Sequence, residues 1–309
     1  MIKKMLMAFA LLFSLFANQN AHAQSGYTQT KYPIVLVHGI LGFDSILGVD
    51  YFYKIPAALQ KDGAQVFTVT VSGMNTTELR GEQLLSQVKQ IIAMTGAKKV
   101  NLVGHSHGGI TVRYVAGVRP DLVASVTSIA GPNKGSKVAD FVSDNVTATS
   151  PAGVALNAAL NSLASIIGTL SGSPNLPQNS LGVLYSLNTA GMADFNRRFP
   201  AGVPPTPCGE GQYVVNGIPF YSWTGNKVRT NAFDISDGVL TLISLPFGSE
   251  ENDGIIGKCS THLGKVIRDN YRMNHLDEVN HVFAILAPFE VSPVTLFREH
   301  ANRLKLAGL

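Results

Sequence analysis

Residues 100–109 read VNLVGHSHGG, an apolar run that leads directly into a Gly-x-Ser-x-Gly motif. A serine on the sharp turn between a strand and a helix needs small residues two positions before and after it, because the two elements approach closely there. Gly104 and Gly108 flank Ser106 in this way, and a helical pattern follows the motif. The stretch therefore predicts a nucleophilic serine at the end of a buried strand.

Apolar runs alternate with helical patterns on both sides of this motif. Strands are predicted at 32–37, 64–72, 100–103 and 122–129, and helices at 77–94 and 110–118. This alternation predicts an α/β fold with a mostly parallel, doubly wound sheet and helices on both faces. Segment 214–223 is interrupted by Asn216-Gly217, which predicts a hairpin outside that main sheet.

The first 23 residues have the organisation of a secretory signal peptide. Lys3 and Lys4 precede an apolar run, and Ala-His-Ala at 21–23 supplies the small residues of a cleavage site. The alternative, a buried N-terminal helix, is disfavoured because the segment lacks a polar face. We therefore expect export and a single catalytic domain over residues 24–309.

The composition excludes some partners and leaves others open. Charged residues make up 14% of the chain, hydrophobic residues 45%, and the formal net charge is +4. A low content of charged residues is compatible with a protein that binds lipid surfaces, and it is equally compatible with a protein that has a large core. No basic cluster is typical of a nucleic-acid surface, so we expect no nucleic-acid partner. The two cysteines, Cys208 and Cys259, predict one disulfide in an exported chain.

A nucleophilic serine requires a base and an orienting acid, which follow it in the order acid, histidine in this fold. Asp253 is favoured as the acid, because Asn252-Asp253-Gly254 is a turn directly before an apolar pair. The pattern does not distinguish among the histidines. The downstream candidates are the histidines at 262, 275, 281 and 300 and the aspartates at 234, 237, 253, 269 and 277.

A second glycine-containing motif, HGILG at 38–42, ends the first predicted strand. Its glycines allow the loop to bend across a pocket, so the amide of Ile40 is a candidate hydrogen-bond donor to an oxyanion. The amide that follows Ser106, that of His107, lies at the predicted helix N-terminus and is the other candidate. An ordinary glycine-rich turn is the alternative at 38–42.

Residues 151–170 are rich in alanine, leucine and isoleucine and carry almost no charge. A core helix explains this composition. An amphipathic lid over about 150–172, opening at a lipid surface, explains it equally well.

Five stretches together resemble one known family. They are YPIVLVHGILGFD (32–44), VNLVGHSHGG (100–109), CGEG (208–211), NDGIIGKCS (252–260) and IRDNYRMNHLDEVN (267–280). Across nearly all of the chain after residue 23, the sequence resembles the secreted, foldase-dependent triacylglycerol lipases of the Pseudomonas and Burkholderia type, which have the α/β-hydrolase fold.

The resemblance implies specific residues for the reaction. It implies Ser106, Asp253 and His275 as the catalytic triad, with the amides of Ile40 and His107 as the oxyanion hole. It also implies that Cys208 is bonded to Cys259. The implied activity is hydrolysis of long-chain acylglycerol esters at a lipid–water interface, after folding with a membrane-anchored periplasmic foldase.

The resemblance also implies one structural Ca²⁺. Its ligands would be the carboxylates of Asp234 and Asp277 and the main-chain carbonyls of His281 and Ile285, an all-oxygen set of the kind that calcium prefers. The family pattern has glutamine where His281 stands. The ion would hold the loop that carries His275, without polarising substrate. Apart from the resemblance, Asp234 and Asp277 are typical of solvated surface carboxylates.

Two other functions remain compatible with the sequence. A carboxylesterase for short soluble esters needs the same triad and differs in its pocket and lid, as does a thioesterase or polyester depolymerase. A secreted, hydrolase-like binding protein without activity is the alternative from another class, and an intact triad argues against it.

Overall fold

The computed structural model describes residues 26–46, 49–145 and 169–309, together with isolated positions between 150 and 167. The predicted signal peptide at 1–23 lies outside these residues, and so do 11 of the 23 residues of the predicted lid at 150–172. The described strands are β1 (Ile34–Val37), β2 (Ser45–Ile46), β3 (Val49–Asp50), β4 (Val66–Val69), β5 (Val100–His105), β6 (Val123–Ile129), β7 (Val214–Val215), β8 (Ile218–Gly225) and β9 (Lys265–Tyr271).

The described helices lie between these strands and after them. They are α1 (Ile55–Lys61), α2 (Thr77–Thr95), α3 (His107–Val118), α4 (Lys137–Asn145), α5 (Ser180–Leu187), α6 (Thr189–Arg198), α7 (Ile235–Ile243), α8 (His281–Ala284) and α9 (Pro293–Leu306). In the part of the chain that the structure describes, no helix combines the length and apolar character needed to cross a bilayer.

The main sheet has seven strands in the order β4-β1-β5-β6-β8, with β7 and β9 both paired to β8. All pairs are parallel except β7 with β8. The chain leaves β1 first towards β4 and then returns to build the sheet on the other side from β5. The carboxyl ends of β1 and β5 therefore lie side by side at a topological switch point, where open α/β sheets bind their ligands.

Both faces of the sheet are buried, as expected for parallel strands. Along β1, Val35 and Val37 pack into one core together with α2 and α3, whereas Ile34 and Leu36 pack into a second core with α1 and α9. Each fully buried side chain of this size contributes about 1.5–3 kcal/mol to folding. The predicted α/β class and its doubly wound parallel sheet are confirmed.

The prediction for residues 214–223 was wrong in one respect. The turn at Asn216-Gly217 forms, with φ of 52° and 75°, and joins β7 and β8 in an antiparallel pair. However, β8 is a fully buried strand that pairs in parallel with β6 inside the main sheet. The hairpin turn lies directly before β8, and the sequence of β8 itself, IPFYSWTG, supplies apolar residues for both faces of the main sheet.

The helix after the serine motif also begins earlier than predicted. It starts at His107 directly after the turn, and not at residue 110. The two glycines at 108 and 109 have low helix propensity, but the close packing of α3 against the sheet overrides that preference.

Candidate active site

Ser106 occupies a strained turn between β5 and α3. Its φ is 57° and its ψ is −128°, and a positive φ of this size is rare for residues other than glycine. The backbone is held in place because the Ser106 amide donates to the Ile129 carbonyl at 2.8 Å and its own carbonyl accepts from the Gly109 amide at 2.9 Å. Strain that surrounding contacts maintain in this way is typical of functional sites.

The flanking glycines are required by close backbone contacts. A Cβ at Gly104 would lie 2.1 Å from the Gly108 carbonyl oxygen, and a Cβ at Gly108 would lie 2.2 Å from the Val37 carbonyl oxygen. Any other residue at either position would therefore push α3 away from β5 and β1. The motif fits the predicted strand-to-helix turn for this steric reason.

His275 and Asp253 form a buried pair beside this turn. The two groups are joined by a 2.7 Å hydrogen bond between Nδ1 of His275 and Oδ2 of Asp253. The other carboxylate oxygen, Oδ1, accepts from the amides of Ile255 and Ile256 at 2.9 and 2.7 Å. An ionised carboxylate only accepts, so Nδ1 carries the proton and Nε2 is left free to accept one. The ring centroid of His275 lies 4.6 Å from that of His105, the neighbour of Ser106.

The other downstream histidines have different partners. His262 contacts Asp269 through Nε2 at 3.1 Å, and His300 contacts Thr127 through Nε2 at 2.7 Å. His281 packs its ring against Tyr51. Of the four candidates, the structure brings His275 together with Asp253 next to the serine turn.

An apolar cavity of about 150 Å³ lies at Ser106. Ile40 lines it from the loop after β1, and so do Ile255 and Ile256 from the turn that binds Asp253. His107 begins α3, where the first amides of a helix have no partner within the helix. Its ring points elsewhere, because Nε2 contacts the hydroxyl of Thr77 at 2.9 Å. Ile40 thus borders the space next to the serine, and the His107 amide lies at the start of the helix that directly follows the serine.

Arg80 supports the loop after β1 and was missed in the sequence. Its buried guanidinium donates to the carbonyl oxygens of His38, at 2.6 Å, and Ser72 and to the hydroxyl of Thr111. Burial lowers the pKa of Arg80 to about 9, so the group stays charged at neutral pH. The position lies four residues before Leu84 on the apolar stripe of α2, and an arginine on such a stripe is a usable signal.

Glu278 was missed as well. Its Oε1 accepts from the Thr224 hydroxyl at 3.1 Å and from the Gly225 amide, and its Oε2 lies 3.8 Å from Nε2 of His105. Burial, together with the charge of Asp253, raises the pKa of Glu278. With His105 and His275 it forms a buried group of a size that could hold a metal ion. The two imidazoles of this group favour zinc-like ions over calcium. One of its members, His275, is already hydrogen-bonded to Asp253.

The predicted calcium ligands Asp234 and Asp277 lie in a different cluster, with Asp237. Asn274 connects them: its side-chain amide contacts Asp237 at 3.0 Å and Asp234 at 3.4 Å, and its backbone amide donates to Asp277 at 3.1 Å. Oδ1 of Asp277 is buried without a hydrogen-bond partner. Burial and the charges of Asp234 and Asp237 raise the pKa of Asp277 to about 7. A partnerless carboxylate oxygen among three carboxylates fits a hard cation.

His281 and Ile285 lie at the two ends of the short helix α8. The ring of His281 packs 5.1 Å from the Tyr51 ring and 5.9 Å from the Phe43 ring, measured between centroids. Ile285 follows Ala284, whose φ of 65° turns the chain at the end of α8. The imidazole of His281 thus packs against two aromatic rings, and its Nε2 is buried without a hydrogen-bond partner among the described residues.

Cys208 and Cys259 are bonded to each other, 51 residues apart in the chain. The bond links the loop before β7 to the segment that follows the Asp253 turn. Lys134 contacts the carbonyls of Thr206 and Pro207 in the same loop, at 2.9 Å for Pro207. The predicted disulfide is confirmed, and it ties the acid-bearing segment to its neighbours.

A strained serine turn at the switch point of a doubly wound sheet defines the α/β-hydrolase class. The family model described as alpha/beta hydrolase fold matches residues 32–291. Among solved structures, the Staphylococcus hyicus lipase superposes with a TM-score of 0.64 at 15% identity, covering 90% of this chain and 97% of its own. At that identity the likeness supports the fold alone.

Proteins with similar sequences identify the subgroup of this class. The triacylglycerol lipase of Vibrio cholerae is 56% identical over 298 residues, which is 96% of this chain and 95% of that protein. That of Pseudomonas fragi is 44% identical over 91% of this chain and 98% of its own, and that of Burkholderia plantarii 41% over 98% and 94%. The chain belongs to the α/β-hydrolase family, and within it to the family of these bacterial triacylglycerol lipases. The resemblance found in the sequence is confirmed.

Proposed function

We propose that the protein hydrolyses ester bonds of long-chain acylglycerols at a lipid–water interface, through an acyl-enzyme on Ser106. Family membership supports the reaction class and the lipid substrate. The single observation that carries the mechanism is the buried 2.7 Å bond between His275 and Asp253, formed beside the strained turn of Ser106.

The first half of the reaction forms the acyl-enzyme. Oγ of Ser106 attacks the ester carbonyl carbon while Nε2 of His275 takes the hydroxyl proton. Asp253 holds the imidazole in the required tautomer and stabilises its positive charge. The tetrahedral intermediate then collapses: the bond to the alcohol oxygen breaks, and His275 returns the proton to that oxygen.

The second half restores the enzyme. Water donates a proton to His275 and attacks the acyl carbon, and the ester bond to Ser106 breaks as its oxygen regains the proton. In both halves, the amides of Ile40 and His107 stabilise the negative oxygen. Removing one such donor typically costs about 10²–10³-fold in kcat.

We propose a structural calcium ion for the acidic cluster. The carboxylates of Asp234 and Asp277 and the main-chain carbonyls of His281 and Ile285 would hold it. When bound, the ion would offset the repulsion among the three carboxylates. Asp277 lies two residues after His275 in the chain, so the neutralised cluster would keep the His275 loop in place.

We further propose that residues 1–23 direct export, that 24–309 form one catalytic domain, and that a membrane-anchored periplasmic foldase assists folding. The sequence pattern of 1–23 and the disulfide support export to an oxidising compartment. The proposed lid at about 150–172 is supported by its apolar composition. Replacing its apolar side chains should reduce hydrolysis of emulsions more than that of soluble esters, and equal losses would contradict a lid.

A carboxylesterase for short soluble esters is the second candidate, favoured by one observation. The cavity at Ser106 has a volume of about 150 Å³. Ligand pockets for drug-sized molecules usually measure about 300–1,000 Å³. A long acyl chain would therefore need more room than this cavity offers, which requires movement above it, whereas a short acyl group would not.

The test compares two substrates with foldase-refolded protein and a Ser106→Ala control. We expect the wild type to release fatty acid from emulsified long-chain triacylglycerol and to hydrolyse a soluble short-chain ester. We expect the Ser106→Ala variant to lose at least 10³-fold on both, as in other serine hydrolases. Activity confined to the soluble ester would establish an esterase. Inactivity on both, in protein shown to be folded, would overturn the enzymatic function.

A further inference from the structure

The orientation of the Ile40 amide depends on the peptide bond between Gly39 and Ile40. This amide and the Gly39 carbonyl belong to one planar unit and point in opposite directions. The Gly39 carbonyl oxygen lies 2.8 Å from Nδ1 of the buried His38 ring. A hydrogen bond there fixes the plane of the peptide, and with it the direction of the Ile40 amide.

The surrounding contacts define the tautomer of His38. The amide of Val71 donates to Nε2 of His38 at 3.2 Å, so Nε2 is the acceptor and the proton of a neutral ring is on Nδ1. His38 therefore donates to the Gly39 carbonyl. Burial, together with the charge of Arg80, lowers the pKa of His38 to about 3, so the ring stays neutral over the working range of pH.

Tyr51 holds the other side of Gly39. The Gly39 amide donates to the Tyr51 hydroxyl at 3.2 Å, and that hydroxyl contacts Nδ1 of His105 at 2.8 Å. The hydroxyl oxygen accepts from Gly39, and the tautomer of His105 decides which group donates in the second bond. A Cβ at Gly39 would lie 2.9 Å from the Tyr51 hydroxyl and 2.8 Å from Cβ of Ser106. Gly39 is thus enclosed between Tyr51 and the serine.

We propose that His38 and Tyr51 are positioning residues for the oxyanion hole, which together hold the Gly39–Ile40 peptide so that the Ile40 amide faces the reacting oxygen. The proposal rests on the proposed function of Ser106. His38 is 1% exposed and Tyr51 is 6% exposed, so both act through the backbone behind the site.

The predicted effect is specific to the transition state. A peptide that is already oriented requires no rearrangement when charge develops on the substrate oxygen. Loss of one support should lower kcat by about 10- to 100-fold with KM little changed. This is less than the 10²–10³-fold cost of removing a donor outright.

Two substitutions of His38 separate positioning from packing. In His38→Asn the side-chain amide nitrogen can take the place of Nδ1 and donate to Gly39. In His38→Gln the polar end lies nearer the position of Nε2, which serves Val71. We expect the asparagine variant to retain the higher kcat, although glutamine is closer in size to histidine. A purely structural role favours the larger side chain, so a higher kcat for the glutamine variant would overturn the proposal.

A second readout compares p-nitrophenyl butyrate with its thionoester, in which sulfur replaces the carbonyl oxygen. Sulfur accepts hydrogen bonds weakly, so an intact oxyanion hole favours the oxygen ester. We expect the ratio of kcat/KM for the two substrates to fall by about 10-fold in Tyr51→Phe, in line with the worth of an oxyanion donor. An unchanged ratio would mean that the hydroxyl only stabilises the fold.

The matched control is Tyr221→Phe. Tyr221 is buried in β8, and its hydroxyl contacts that of Tyr213 at 2.6 Å. Its variant should lose a similar amount of stability and keep the wild-type substrate ratio. Should the His38 variants fail to fold, the ratio measured for Tyr51→Phe decides the question alone. An inactive wild type would overturn the proposed function, whereas an active wild type with unchanged variants would overturn only the positioning role.

Discussion

Arg80 and Asp277 are both buried ionisable groups close to the candidate catalytic residues, but their surroundings differ. The guanidinium of Arg80 has acceptors for all three of its nitrogens, two carbonyl oxygens and a hydroxyl. Asp277 shares its surroundings with Asp234 and Asp237, and one of its oxygens has no partner. Among the described residues, neither Arg80 nor Asp277 forms an ion pair with a side chain of opposite charge.

The difference shows two ways to bury charge beside a reaction centre. A cation surrounded by neutral acceptors has all its hydrogen bonds satisfied by the folded chain. It can therefore orient the backbone carbonyls that accept those bonds. Three neighbouring carboxylates repel one another, and the repulsion is relieved when a proton or a metal cation joins them. We therefore expect the stability of the Arg80 region to be independent of added ions. We expect the stability of the Asp277 region to depend on the cations in solution.

The largest effect should come from Arg80→Met. The substitution leaves three buried acceptors without donors, which should lower the free energy of unfolding by about 3 kcal/mol or more. It should also reduce kcat on a soluble ester by about 100-fold, because the His38 carbonyl loses its support next to the oxyanion hole. Urea denaturation and steady-state kinetics of the folded fraction measure the two effects.

Arg113→Met is the matched control for Arg80. Arg113 is also buried, on α3, and its guanidinium donates to Asn133, Asn196 and the Phe199 carbonyl. Its loss should destabilise the protein by a similar amount and leave kcat of the folded fraction within about threefold. Equal losses of kcat in both variants would mean that Arg80 has no special relation to the site.

An intermediate effect should follow removal of calcium. When free calcium is 100 times its Kd, binding to the folded state adds about 2.7 kcal/mol to the free energy of unfolding. Chelation should lower the wild-type unfolding midpoint accordingly, and Asp277→Asn should abolish this response. Asp194→Asn, at an exposed carboxylate paired with Arg197 and Arg198, should respond as the wild type does. A wild type that ignores both calcium and chelator would contradict the site.

The smallest effect concerns buried histidines beside arginines. Burial and the charge of Arg303 lower the pKa of His300 to about 3, as burial and Arg80 do for His38. Between the ordinary pKa of 6.5 and about 3, only the unfolded state binds the proton. Stability is therefore fully present above pH 6.5 and falls by about 1.4 kcal/mol per pH unit below it for each such group.

Replacing His300 by asparagine removes the contribution of one such histidine to the pH dependence of stability. Between pH 6 and 5, the unfolding free energy of His300→Asn should decline less steeply than that of the wild type, by about 1.4 kcal/mol per unit. Denaturant midpoints measured across this range provide the comparison. Parallel curves for the two proteins would show that His300 is protonated in the folded state.

Much of this architecture could be predicted because it is encoded locally. The strand before Ser106 and its glycines are contiguous, and steric contact alone requires Gly104 and Gly108. Asp253 was favoured from its turn, and the structure adds the two backbone amides that explain that preference. His275 could not be separated from the other histidines by pattern, because its pairing joins residues that the chain brings together only after folding.

Other features depend on tertiary contacts that leave little local signal. The central position of β8 follows from its pairing with β6, which the hairpin turn at its start concealed. Tyr51 lies in the loop between β3 and α1, and its role is visible only once Gly39 and His105 are placed around it. Glu278 follows Asp277 directly in the sequence, yet the two carboxylates belong to different clusters.

The bonds of Arg80 also have a kinetic meaning. They reach His38 and Thr111, which are 42 and 31 residues away in the chain. The cost of closing a loop grows with its length, and β1 pairs with β5 over a longer separation, from Ile34 to Asn101. Loop closure therefore does not delay the bonds of Arg80 relative to the sheet. A chain whose sheet has formed can already anchor the His38 carbonyl beside Ser106.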